Sequence, residues 1–125
     1  MIVTEQEIVD LKKFILQLNQ MENAVVIVEG KKDSGALKKI GFTGKVLEFH
    51  RFDGMIDFTD SVSKYKKLII LFDRDKKGRT LTGKTIQLLQ RRTKIDLSFK
   101  RKLREITKGK VKFVEQLVCY ESYLA

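Results

Sequence analysis

The sequence predicts an α/β fold: a mainly parallel sheet of about four strands with helices on both faces. Three observations predict it. Two short apolar runs, the β-branched one at residues 24–28 and KLIILF at 67–72, read as strands buried on both sides. Segments with helical spacing of apolar residues alternate with them, and that alternation favours parallel pairing through crossovers. At 125 residues, 42% hydrophobic and 34% charged, the chain has the size and composition of one folded domain and is too apolar to be disordered.

In chain order, Thr4 and Glu7 have capping-box spacing, and Ile8, Leu11, Phe14, Ile15, Leu18 and Met21 recur at helical intervals, so residues 5–21 are expected as an amphipathic helix. Residues 24–28 form the first buried strand, too short for a buried helix, and Glu29-Gly30 ends it. Residues 33–40 read as a short helix capped by Asp33 or Ser34, after which Gly41 to Gly44 turns the chain into a strand at 45–49. A weak helix is expected over 57–65, with Asp53-Gly54 as a turn before it. The second buried strand spans 67–72, and 73–78 is the loop after it. Helices follow over 79–92 and 98–107, the latter strongly basic, and Val111 to Val114 reads as a last strand.

Lys and Arg number 26 against 16 Asp and Glu, a formal charge of +10, which points to a polyanionic partner. The excess rises along the chain, from −3 over residues 1–30 to +4 over 31–72 and +9 over 73–125. Cys119 and His50 are the only cysteine and histidine, so neither a disulfide framework nor a Cys/His zinc site is available, and Cys119 is expected to be buried. Any metal must be held by carboxylates. No apolar run approaches the ~20 residues needed to cross a bilayer, and the acidic start of the chain is unlike a signal peptide, so a cytoplasmic location without membrane association is expected.

In open parallel sheets, reactive groups gather beyond the carboxyl ends of the strands, near the point where strand order reverses. Two places qualify: Glu29-Gly30-Lys31-Lys32-Asp33 after the first apolar strand, and Asp73-Arg74-Asp75 after the second. If those strands are neighbours, Glu29, Asp73 and Asp75 converge on one rim, where three carboxylates repel unless a cation sits among them. The alternate spacing of Asp73 and Asp75 lets both leave the strand end on one side. Mg²⁺ suits such a site, because it takes oxygen ligands and is commonly bound by one or two carboxylates together with a substrate phosphate.

These two stretches, VIVEGKKD at residues 26–33 and LIILFDRDKKG at 68–78, resemble the signature motifs of the Toprim domain. They stand in the right order about forty residues apart, each after a predicted buried strand. The resemblance covers residues 22–118, within a single Toprim domain expected over 1–125 and preceded by the N-terminal helix. It implies a Rossmann-like fold, Mg²⁺ as cofactor with Mn²⁺ as a substitute, Glu29 as general acid/base, and Asp73 and Asp75 as metal ligands. Gly30 and Gly78 are then turn glycines. The Glu-Gly-Lys-x-Asp form at 29–33 is most similar to that of the family's ribosomal RNA maturases.

Lys31, Lys32, Arg74, Lys76, Lys77 and Arg79 flank the acids, and Arg101 lies in the basic stretch 91–112, so these are the candidate phosphate contacts. His50 lies close enough to the end of the second strand to approach the rim. Tyr65, Tyr120 and Tyr123 are expected to pack or lie on the surface, since nothing nearby would activate them as nucleophiles. The function that follows is Mg²⁺-dependent nucleic-acid phosphodiester chemistry, foremost a small nuclease acting on RNA or DNA. The alternative is a non-catalytic nucleic-acid-binding or recruiting module, with protein partners in an RNA-processing, replication or repair assembly.

Overall fold

The computed structural model describes residues 2–124. Its centre is a four-stranded, all-parallel sheet in the order β2-β1-β3-β4, with β1 at Ala24–Val28, β2 at Val46–Glu48, β3 at Lys67–Ile70 and β4 at Lys94–Asp96. Because side chains alternate along a strand, each buried strand feeds two cores. Val26, Val28, Ile69 and Leu71 face a layer made by helices α1 (Glu5–Asn19), α2 (Lys31–Lys39) and α5 (Ser98–Ile106) and a C-terminal 3-10 segment, Val114–Tyr123. Val25, Ile27, Leu68, Ile70 and Phe72 face α3 (Gly54–Val62) and α4 (Lys76–Leu89). The α/β sandwich expected from the two apolar runs is therefore present.

α1 begins as its capping spacing requires, with Thr4 Oγ1 accepting from the Glu7 N–H at 3.1 Å. The other half of the capping box does not form. Glu7 is instead 1% exposed, accepting from Lys110 Nζ at 2.6 Å and from the Tyr120 hydroxyl at 2.9 Å, so it ties α1 to the C-terminal segments. Burial pushes its carboxyl up, but the hydrogen bonds from Lys110 and Tyr120 and the charges of Lys110 and Lys108 outweigh this and hold it below its ordinary 4.5. Its contribution to stability is thus present above about 4.5 and is lost as pH falls through the lowered folded value. Glu7→Gln is expected to cost about 2 kcal/mol at pH 7 and to flatten the acid limb of stability, read by urea unfolding across pH.

Two expectations are corrected. Residues 111–114 are not a strand; the fourth strand is Lys94–Asp96, which occupies the free edge of β3. The 111–114 stretch crosses the carboxyl end of the sheet, buries Val111 and Val114, and is held there by the Arg74 N–H on the Lys112 carbonyl at 2.8 Å. Cys119, expected inside, is exposed; Tyr120 beside it fills the core, and Tyr123 is exposed. Among the described residues no helix is long and apolar enough to cross a membrane.

Candidate metal centre

β1 and β3 are neighbours, and the chain leaves them in opposite directions, to β2 on one side and β4 on the other. That reversal opens the crevice at their carboxyl ends. Glu29 is the first residue beyond β1, and its carbonyl accepts from the His50 N–H at 2.9 Å, which fixes the turn. Gly30 then caps α2, so the helix starts at Lys31 and neither Asp33 nor Ser34 is its cap. Asp33 sits in the first turn and reaches back, its Oδ2 accepting from the Gly30 N–H at 3.0 Å. A side chain at residue 30 would meet the His50 ring, with Nδ1 3.1 Å from a β-carbon there, so glycine lets the imidazole lie over the turn.

Beyond β3 the chain stays extended through Leu71, whose N–H donates to the Ile27 carbonyl at 2.9 Å, and delivers Asp73 to the rim. Asp73 Oδ1 accepts from the Val114 N–H at 2.7 Å, a bond that also anchors the crossing segment. Asp75 does something else. Its Oδ1 accepts from the Gly78 N–H at 2.8 Å, making it the N-cap of α4.

The three carboxylates that meet are therefore Glu29, Asp33 and Asp73, each offering one oxygen within 4.8 Å of the others. Glu29 and Asp73 come together, with Asp33 beside them, and Asp75 lies at the same rim, near enough for its charge to raise Glu29. Strand alternation does not govern residue 75, because β3 ends at Ile70 and the chain is already turning into α4. Gly78 is likewise not a turn glycine. It lies buried in the first turn of α4, where a β-carbon would stand 1.8 Å from the Asp73 carbonyl oxygen, so its missing side chain lets the helix press against the Asp73 peptide.

Each of the three acids is only 7% exposed. Burial, the hydrogen bond shared with Asp73 and the charges of Asp73, Asp75 and Asp33 push the Glu29 carboxyl from 4.5 up to about 8. Asp33 is also raised, chiefly by burial. Glu29 Oε1 is buried without a hydrogen-bond partner. Three converging carboxylates, one with an orphaned buried oxygen, are a donor set that fits a hard divalent cation, which supplies the missing partner and removes the repulsion.

Around this centre, Lys31 and Lys32 open α2, and Lys76 and Lys77 open α4; all four are exposed, and Lys77 Nζ lies 3.5 Å from His50 Nε2. Arg79 is exposed one turn into α4, and Arg101 is exposed on α5. Arg74 is half-buried, and its guanidinium donates to the carbonyls of Gly109 at 2.8 Å and Val111 at 3.2 Å, so it clamps the crossing segment. Lys100, one of the ten bases of the stretch 91–112, is brought half-buried by α5 into the electrostatic reach of Asp73 and Glu29. Its place in a run of surface-type lysines carries no signal of this, since only the docking of α5 brings it there.

A family model of the Toprim domain matches residues 24–115, which include all four acids discussed above. The UPF0292 protein of Thermococcus sibiricus is 33% identical over 115 residues, covering 91% of this chain and 88% of the relative. That of Pyrococcus furiosus is 32% identical over 106 residues, covering 85% and 79%. A solved structure of a protein from Aquifex aeolicus superposes with a TM-score of 0.68 at 29% identity, covering 85% of this chain and 96% of that one.

Proposed function

The chain belongs to the Toprim domain family, and on that premise we propose that it is a Mg²⁺-dependent nuclease hydrolysing phosphodiester bonds of RNA or DNA. Membership carries the coarser statement, a metal-dependent function on nucleic acid. The observation that supports the finer one is the cluster of Glu29, Asp33 and Asp73 with Glu29 Oε1 buried and unpartnered. In this reading those three carboxylates hold the cation, and Asp75 caps α4 while adding negative charge at the rim. When bound, the cation polarises a phosphate oxygen and lowers the pKa of a water. Glu29, through the carboxylate oxygen not on the cation, gives or takes the proton of the reaction. Lys31, Lys32, Lys76 and Lys77 sit at two helix N-termini flanking the cluster, an arrangement suited to phosphate, with Arg79 and Arg101 extending the basic surface. Residues 2–124 act as one Toprim unit in this account.

The test is incubation of the purified chain with end-labelled single-stranded and structured RNA and DNA in Mg²⁺, Mn²⁺ or EDTA, alongside Glu29→Gln. Cleavage that needs the metal and falls about 100-fold or more in the variant is expected. Strand binding without cleavage under every condition would overturn the nuclease reading in favour of a recruiting module.

A further inference from the structure

On the far side of the β3 carboxyl end from α2, a small cleft lies between Phe72 and Leu103, ringed by Arg74, Lys100, Arg104 and Lys112. Among the described residues none of the four is in an ion pair. Lys100 is half-buried, and its ammonium has one side-chain hydrogen bond, to Thr82 Oγ1 at 3.3 Å. Arg74 is held rigidly by the Gly109 and Val111 carbonyls, which are neutral and leave its charge uncompensated. Four positive charges, none of them ion-paired, gather around one apolar floor, and that concentration of like charge favours an anion among them. The cleft is small, about 20 Å³, room for one water-sized group, which admits a phosphoryl oxygen. The cleft adjoins the carboxylate cluster: Phe72 lines the one, Asp73 belongs to the other, and Val114 both lines the cleft and donates to Asp73.

We propose that this cleft is a second phosphate subsite, binding a backbone phosphate of the nucleic-acid strand that neighbours the phosphate at the carboxylate cluster. The proposal rests on the nucleic-acid reading above and extends it by giving the strand a direction, from the cluster across the crossing segment towards α5.

The experiment is equilibrium binding of a fluorescent single-stranded 12-nucleotide DNA from low to moderate salt, with Ca²⁺ in place of Mg²⁺. The proteins compared are wild type, Lys100→Met, Arg104→Gln, Lys112→Gln and the control Lys66→Gln. Arg104 and Lys112 are exposed, so their variants are expected to fold as the wild type does; Lys66 lies just before β3, at the opposite end of the sheet. Each neutralised phosphate of a single strand contributes about 0.7 to the slope of log K against log salt. Arg104→Gln and Lys100→Met are each expected to reduce the slope by about 0.7 and to weaken binding about 10-fold, with Lys66→Gln unchanged. Wild-type binding with slopes unaltered in Lys100→Met, Arg104→Gln and Lys112→Gln would overturn the subsite and leave the nucleic-acid reading standing. No binding by the wild type would overturn both.

Discussion

Gly78→Ala is expected to cost about 3 kcal/mol or more of folding stability, whereas Gly83→Ala, five residues further along the same helix, is expected to gain about 1 kcal/mol. Alanine is the better helix former at both positions, so propensity alone predicts the same sign for both. Space decides otherwise. A β-carbon at 83 meets nothing within 4 Å, while one at 78 would stand 1.8 Å from the carbonyl oxygen of Asp73 and 2.6 Å from its carbonyl carbon. Those atoms are backbone and cannot rotate away, so α4 must lift off the end of β3. The lift would break the cap from Asp75 Oδ1 to the Gly78 N–H and shift Asp73 itself, so metal binding should fall together with stability. Urea unfolding of the two variants beside the wild type reads both signs.

Asp73→Asn is expected to move stability and metal affinity in opposite directions. The asparagine Oδ1 can still accept from the Val114 N–H, so the crossing segment stays anchored, and a charge that repels Glu29 is gone. Without metal the variant should be more stable than wild type by about 1 kcal/mol. With metal, a loss of about 100-fold or more in affinity is expected, since perturbing even an outer-shell partner of a metal ligand costs about 10- to 100-fold. A pH signature accompanies this. In the metal-free wild type Glu29 takes up a proton on folding, because its folded pKa of about 8 lies above the ordinary 4.5. Stability from that group is therefore full below 4.5 and declines as pH rises towards 8. Asp73→Asn removes two of the causes of the shift and should shrink the decline, and Mg²⁺ should shrink it in the wild type. Thermal unfolding over that pH range, with EDTA or Mg²⁺, measures all three.

The parts of the molecule legible in the sequence are those in which local pattern and tertiary burial agree. Residues 24–28 and 68–72 are apolar because they lie between two helical layers, and β1 occupies just the residues expected of it. The edge strand β4 has only Ile95 as an apolar residue, so nothing in its pattern separates it from a loop. The valines at 111 and 114 have the β-branched character of a strand and are buried, but they pack across the sheet end and not within the sheet. At the site, strand ends located Glu29 and Asp73. The sequence pattern gives Asp33 as a helix cap, and it does bond the Gly30 N–H; that its carboxylate also meets Glu29 depends on α2 starting two residues earlier than that pattern predicts. Strand periodicity does not reach Asp75, because β3 ends at Ile70 and the chain there is turning into α4.

The measurement that tests the central claim most directly is a titration of the chain with Mn²⁺ followed by electron paramagnetic resonance, comparing wild type with Asp33→Asn and Asp73→Asn. Saturable binding by the wild type that weakens about 100-fold or more in both variants is the result expected if Glu29, Asp33 and Asp73 surround a divalent cation. Binding undiminished in Asp33→Asn, or no saturable binding by the wild type, would contradict it.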